Sequence, residues 1–158
     1  MSVHEYLKQV PLFTDLTEAE LEHIAPLCRM IEGKEGDCLI RERHEVRSIY
    51  FIVEGEASII KEMDIDIHIP IATARNGAIL GEMALLENAP ASATVEAKGL
   101  FKALVIDRVE FNRLMDSDHH IGYKIARKLG QIESARLRAT SGLLAEYINL
   151  PHVSGVDL

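Results

Sequence analysis

The sequence has few cysteines and no long apolar segment. Cys28 and Cys38 are the two cysteines among 158 residues, and their spacing fits neither a C-x-x-C motif nor a disulfide-rich pattern. No run approaches the roughly 18 apolar residues of a membrane span, and the N-terminus lacks the apolar core of a signal peptide. We therefore expect reduced thiols, no membrane span and a cytoplasmic location.

Basic residues are scarce relative to acidic ones. The chain has 17 Lys and Arg against 25 Asp and Glu, a formal net charge of −8 at pH 7. General binding to nucleic acids or acidic membranes draws on clustered lysine and arginine, which displace counterions. The charge balance therefore argues against a general nucleic-acid or membrane binder.

Familiar catalytic and metal-binding motifs are missing from the sequence. It contains no G-x-S-x-G, P-loop or H-E-x-x-H motif. His44 and His68 stand alone and His119-His120 opens a predicted helix, whereas metal-binding cupins use a His-x-His pair with a Glu and a later His. Glu82 is a lone carboxylate without a recognisable partner for acid–base chemistry. We therefore expect neither an enzyme nor a metal site.

The chain does contain a long series of short strands. Over residues 28–107 apolar residues alternate with polar ones, and glycines recur at short intervals. About eight such strands favour a mainly β fold, an antiparallel β-roll of jelly-roll type, in which Pro70 places its strand at an edge. The residues expected to point inward are Met30, Leu39, Ile49, Phe51, Val53, Ala57, Ile59, Ile65, Ile67, Ile69, Ile71, Val95, Leu104 and Ile106.

Helices are predicted on both sides of the roll. Ser2-Val3-His4-Glu5 and Thr17-Glu18-Ala19-Glu20 have the S/T-x-x-E form of a capping box, so two short N-terminal helices are expected, the second over residues 18 to about 27. We divide a single domain into N-terminal helices (1–27), β-roll (28–107), C-terminal helices (108–148) and a tail (149–158).

The last predicted helix carries a narrow apolar stripe. Asp107 can cap a helix through about Met115, and Ser117 or Asp118 can cap the long helix that follows. Three- and four-residue spacing is typical of contact with a partner helix, although helices packed in their own core show it too. We expect a homodimer through residues 121–143. The stripe residues are Ile121, Ile125, Leu129, Ile132, Ala135, Ala139 and Leu143.

Residues 76–97, NGAILGEMALLENAPASATVEA, are the best candidate for a binding site. The segment opens with an Asn-Gly turn signal, and Gly81 precedes good helix formers that begin at Glu82. The N–H groups of a first helical turn would then lie beside one carboxylate, an arrangement that can cradle an anion. Ser92 and Thr94 would add hydroxyl groups.

This segment resembles the phosphate-binding cassette of the cyclic-nucleotide-binding domain family, of the cyclic-AMP receptor type. The residues that carry the resemblance are Gly81-Glu82-Met83-Ala84-Leu85-Leu86, Pro90 and Ala93-Thr94-Val95. It implies that Glu82 takes the ribose 2′-hydroxyl and that the N–H groups around Met83 and Ala84 face the cyclic phosphate. It also implies an arginine after the proline, where this chain has Ala91.

Two departures from the family pattern appear, one that affects the expected ligand and one that affects a loop. Without the charge-assisted arginine bond, affinity for a cyclic nucleotide should fall by about tenfold to a hundredfold or more. Arg75 in the neighbouring turn is a candidate substitute for that cation. Residues 42–45 replace a turn that usually bears a glycine, which predicts a changed loop shape.

The resemblance also implies a role for the last helix, which in the family closes over the nucleotide. Positions near Ile132 and Glu133 would meet the base, with Ile132 on a purine face and Glu133 accepting from an exocyclic amino group. This predicts a preference for adenine over guanine.

Together these features predict a stand-alone regulatory module that binds cyclic AMP or another cyclic nucleotide, needs no other cofactor, and signals to a partner protein through its last helix. The alternative is a degenerate domain that binds no nucleotide and acts as a dimeric protein-interaction scaffold. Direct DNA binding is not expected, because the few residues after 148 cannot hold a helix-turn-helix domain. The candidate ligand-binding residues are Gly81, Glu82, Met83, Ala84, Ala91, Ser92, Ala93, Thr94, Ile132 and Glu133.

Overall fold

Eight strands lie between two pairs of α-helices in the computed structural model, which describes residues 1–149. The strands are β1 (Cys28–Gly33), β2 (Cys38–Ile40), β3 (Ser48–Glu54), β4 (Ala57–Asp64), β5 (Ile67–Ala74), β6 (Ile79–Leu80), β7 (Thr94–Ala97) and β8 (Phe101–Asp107). They form two antiparallel sheets, with strand orders β1-β8-β3-β6 and β2-β7-β4-β5. The predicted β-roll with flanking helices is thereby confirmed. The predicted tail, apart from residue 149, lies outside the described residues.

The N-terminal helices begin where their capping boxes predict. Helices α1 (Val3–Leu7) and α2 (Glu18–Ile24) are capped by Ser2 and Thr17, each with the reciprocal glutamate bond. The α-helical part of α2 stops before residue 27, because Pro26 cannot donate to the helical ladder and the chain tightens into a 3-10 turn over Ala25–Leu27.

Two aspartates start the C-terminal helices. Asp107 Oδ1 accepts from two N–H groups at the start of α3 (Arg108–Ser117), and Asp118 Oδ1 does the same for α4 (His119–Ile148). Helix α4 has 30 residues. Within residues 1–149, no helix is long and apolar enough to cross a membrane.

The buried apolar residues form two main clusters, one on each side of the first sheet. The cluster on the helical side joins that sheet to the helices, and its members are Leu7, Val10, Leu12, Phe13, Leu21, Ile24, Ile49, Phe51, Ile79, Leu104, Ile106, Phe111, Ile121, Ile125 and Leu129. The cluster between the sheets contains Ile40, Val46, Ile52, Ala57, Ala74, Leu80, Ala84, Ala91 and Val95. Side chains on opposite faces of β3 therefore pack into two different cores.

The first half of the apolar stripe on α4 belongs to the protein's own core. Ile121, Ile125 and Leu129 are 0%, 0% and 1% exposed and pack against the helical side of the first sheet. The expectation that these three residues contact a second copy was therefore wrong. The tight packing of α4 against the 3-10 turn Pro11–Phe13 and α3 accounts for their burial.

The isoleucines of the β4–β5 hairpin do not point inward as expected. Ile65 is 88% exposed, and Ile67, Ile69 and Ile71 are exposed as well. Strand β5 is the edge of the second sheet, as Pro70 predicted, and none of residues 1–149 forms a second layer over it there. The alternation of apolar and polar residues correctly predicted the strand, but it does not show which faces of the strand are covered by other parts of the protein.

Candidate functional site

A cavity of about 740 Å³ lies between the second sheet, the turn after β5, the 3-10 helix Glu82–Leu85 (the cassette helix) and α4. This volume lies within the roughly 300–1,000 Å³ of small-molecule sites. Its polar and charged lining residues are Thr73, Arg75, Asn76, Glu82, Glu87, Ser92, Arg136 and Thr140. Its apolar lining residues are Ile40, Val46, Ile59, Ala72, Ala74, Ala78, Ile79, Leu80, Met83, Ala84, Ala89, Pro90, Ala91, Ala93, Val95 and Ala139.

Gly81 sets the direction of the cassette helix. Its φ is +79°, and a Cβ there would lie 2.9 Å from both Ser48 O and Val46 Cγ1. Conformation and space therefore both require glycine. The turn brings Glu82, which is 7% exposed, to the cavity wall. The N–H of Ala84 donates to Gly81 O at 3.2 Å, so one of the N–H groups expected to face an anion is used inside the turn.

Arg136 of α4 pairs with Glu82. Its Nη1 donates to Glu82 Oε1 and, at 2.9 Å, to Glu133 Oε1, while Nη2 lies 3.5 Å from Ile79 O. Burial raises the pKa of the Glu82 carboxyl, and the bond from its own N–H and the charge of Arg136 act in the opposite direction. One guanidinium is thus shared between a buried carboxylate and a half-buried one.

Ala91 is held by backbone bonds to the loop between β2 and β3. Arg43 N donates to Ala91 O at 2.8 Å, and Ala91 N donates to His44 O at 2.9 Å. Ala91 is 9% exposed and packs between the sheets. Arg43 has a φ of +65°, the left-handed conformation that favours glycine. The loop therefore contains a left-handed residue although it has no glycine, and the expected change of shape relative to the family stays a prediction.

Thr94 belongs to a buried polar cluster and does not line the cavity. Its Oγ1 accepts from Glu42 N and donates to Glu62 Oε1, each at 2.9 Å. The buried Glu42 carboxylate accepts from Lys61 Nζ and Glu62 N, both at 2.7 Å, and these two groups lower its pKa. Lys61 Nζ also donates to Ser92 O at 2.5 Å. The cluster therefore fixes the backbone around Ser92.

The predicted ligand-binding residues divide into two groups. Thr94, Ile132 and Glu133 do not line the cavity: Ile132 packs against the helical core, and Glu133 pairs with Arg136. Ile132 packs partly against the helical core, and the contact of its side chain with a purine face stays a prediction. The predicted residues that do line the cavity are Gly81, Glu82, Met83, Ala84, Ala91, Ser92 and Ala93.

The residues of α4 that line the cavity are Arg136, Ala139 and Thr140, about one turn beyond the predicted positions. Arg136 was not predicted as a site residue, since it lies 54 positions from Glu82. One feature of the sequence could have indicated Arg136 as a site residue. It lies four residues after Ile132, on the side of the helix that continues to Ala139.

Arg75 also lines the cavity, but its guanidinium is engaged elsewhere. Its Nε donates to Glu56 Oε1 at 2.8 Å, and the side chain is largely exposed. Glu56 Oε2 also forms an ion pair with Lys98 Nζ at 3.6 Å. The substitution of Arg75 for the missing arginine stays a prediction.

Comparison with known proteins gives matches over most of the chain. Residues 31–118 match a family model described as cyclic nucleotide-binding domain. The chain is 31% identical over 110 residues to a cAMP-dependent protein kinase regulatory subunit of Blastocladiella emersonii, which covers 70% of this chain and 27% of that relative. The chain therefore spans about a quarter of that curated relative's length.

Two solved structures are similar in fold. The regulatory domain of Toxoplasma gondii PKA with cAMP has 25% identity and a TM-score of 0.69, over 82% of this chain and 49% of that one. A cyclic nucleotide-binding domain from Methylobacillus flagellatus has 23% identity and a TM-score of 0.78, over 92% and 82%.

Proposed function

Because this chain belongs to the cyclic-nucleotide-binding domain family, we propose that it is a regulatory ligand-binding module in which α4 reports whether the cavity beside Glu82 is occupied. The family is regulatory and not catalytic, and we propose no enzymatic role for this chain. The observation that carries the proposal is the contact of Arg136 with Glu82, which joins α4 to the cavity wall.

A ligand hydroxyl on Glu82 would compete with Arg136 for the same carboxylate. This competition weakens the bond while Arg136 stays within reach of Glu82, and the weaker bond alters the part of α4 that extends beyond the core. The ligand class that the relatives' names indicate is a cyclic nucleotide such as cAMP. The signal would pass to a protein partner through the exposed residues of α4.

Calorimetry with cAMP, cGMP and cyclic dinucleotides tests the binding step, and hydrogen exchange over residues 133–148 tests the reporting step. The parent protein should bind a ligand and change the exchange of this segment. Arg136→Ala should retain the fold and lose the change in exchange. Arg138→Ala, the matched control, removes an exposed arginine of the same helix and should behave as the parent does.

Either of two results would contradict the proposal. Ligand binding without any change in exchange would show that α4 does not report occupancy. Absence of binding for every ligand would favour the alternative, a degenerate scaffold. Two features favour that alternative. Arg136 already pairs with Glu82 from within the chain, and Ala91 stands at the position of the family's phosphate-binding arginine.

We also propose a homodimer, through a surface further along α4 than the sequence predicted. Leu137 and Leu144 are 68% and 54% exposed and lie seven residues apart, so they share one helix face. Replacing both by Glu should give a folded monomer in light scattering. Glu at the exposed Leu143, which lies on a different face, should leave the dimer intact.

A further inference from the structure

Both cations of the cavity lining already have carboxylate partners. Arg136 donates to Glu82 and Glu133, and Arg75 donates to Glu56. The remaining ionisable lining residue is Glu87, which is acidic. Ala91, at the position of the family's arginine, adds no charge. Within the described residues, the lining therefore offers an incoming anion no unpaired arginine or lysine.

The group around Arg136 carries an excess of negative charge. One guanidinium faces two carboxylates, so the cluster has a net charge of −1 when Glu82 and Glu133 are both ionised. A phosphate that took Arg136 would leave Glu82 buried without its cation, which is an unfavourable state for a carboxylate. The charges of the cavity therefore disfavour the binding of a singly charged phosphate.

The same lining suits uncharged polar groups. Glu82 accepts hydrogen bonds and Arg136 donates them at one place on the wall, and a hydroxyl group can do both. Thr73, Asn76 and Ser92 add neutral donors and acceptors. The rest of the lining is largely alanine, isoleucine and valine, which favours a flat apolar body.

We infer that the cavity selects an uncharged, hydroxyl-bearing ligand of the nucleoside class over the corresponding cyclic phosphate. This inference rests on the proposed function, because it concerns the ligand of the same cavity. Glu82 keeps its role as acceptor for a ribose-type hydroxyl, and Arg136 stays within reach of both carboxylates. Ala91 is then the residue that sets the charge preference of the site.

Equilibrium dialysis of the parent protein with adenosine and with cAMP, at one pH and one salt concentration, tests the inference directly. Adenosine should bind at least about tenfold more tightly than cAMP, because a phosphate that took Arg136 would break its charge-assisted bond to the buried Glu82 carboxylate. Equal affinities, or tighter binding of cAMP, would overturn the inference and leave the proposed function standing. Binding of neither ligand would count against both.

Two variants test the residues behind the preference. Ala91→Arg should shift the ratio toward cAMP by about tenfold to a hundredfold. Glu133→Gln removes one carboxylate at a half-buried position outside the cavity lining, so it keeps the fold and should shift the ratio in the same direction by several-fold. Glu146→Gln makes the same charge change on an exposed part of α4 and serves as the control. An unchanged ratio in Glu133→Gln would overturn the charge argument even if Ala91→Arg does not fold.

Discussion

Arg136 and Glu82 lie 54 residues apart in sequence and form an ion pair that joins the last helix to the cassette helix. Ile132 packs partly against the helical core, and beyond it no residue of α4 among those described is buried, so this pair anchors a part of the helix that core packing does not hold. The position of that part therefore depends on the ionisation and the partners of one buried carboxylate.

The stability contribution of Glu82 should depend on pH in a defined direction. Burial raises its pKa in the folded protein above the ordinary 4.5, so the folded state binds this proton more tightly than the unfolded state does. Its contribution is then fully present below pH 4.5 and is lost as the pH rises through the folded pKa. Urea unfolding at a series of pH values should show the stability of the parent, relative to Glu82→Gln, falling over this window.

Glu42→Gln is the matched control, because the pKa of Glu42 is shifted the other way. The Lys61 ammonium and the N–H of Glu62 lower it, so Glu42 contributes stability above pH 4.5 that is lost as the pH falls. The two difference curves should therefore slope in opposite directions. Parallel curves would contradict the assigned direction for Glu82.

Gly81→Ala should destabilise the protein more than the same change at another left-handed glycine. Gly36 has a φ of +85° and open space around its Cβ position, so Gly36→Ala should cost about 1–2 kcal/mol for the conformation alone. At Gly81 the added Cβ also meets Ser48 O and Val46, and crowding of this kind adds about 1–3 kcal/mol. Thermal unfolding of both variants measures the difference, and equal losses would show that the turn has room for a side chain.

Arg43→Gly should leave the protein as stable as the parent or slightly more so. Relief of the left-handed conformation contributes about 1–2 kcal/mol, and the greater freedom of glycine in the unfolded chain offsets about 0.4–1 kcal/mol of it. Arg47→Gly, at an exposed residue whose φ is not positive, should be destabilising. Chemical denaturation distinguishes the two, and similar losses would mean that residue 43 is not strained.

Ile125→Ala and Leu143→Ala should separate the two halves of α4. Ile125 is fully buried, so its truncation should cost about 2–5 kcal/mol. Leu143 is exposed, so its truncation should change stability by no more than about 0.5 kcal/mol. Denaturant unfolding at low protein concentration, where a dimer would not contribute, makes the comparison. A large loss of stability for Leu143→Ala would show that this side chain is packed within the monomer, which contradicts its exposure in the structure.

Local features were predictable from the sequence, and contacts between distant segments were not. The caps at Ser2, Thr17 and Asp107 depend on neighbouring residues, so they could be read from short motifs. The cassette was found because its glycine, glutamate and proline are close in sequence. Strands β7 and β8 and helix α3 separate Glu82 from Arg136 in the sequence. The periodicity of apolar residues therefore does not predict the contact between these two side chains.

The wrong predictions share one physical cause. Apolar spacing shows that a strand or helix has an apolar face, but the covering partner comes from the tertiary arrangement. The isoleucines of β5 look like core residues and are exposed because the sheet ends there, whereas Ile125 looks like a dimer contact and is buried because α3 and the 3-10 turn Pro11–Phe13 pack against α4.

Strand β5 has a consequence for how molecules of this protein behave at high concentration. An edge strand that displays Ile67, Ile69 and Ile71 is a template on which a neighbouring molecule could add its own strand and start an aggregate. Pro70 places a residue without an N–H in the middle of that edge, and the irregular pairing of β5 with β4 bends it. The hairpin can therefore expose isoleucines while its backbone resists fibril-like stacking.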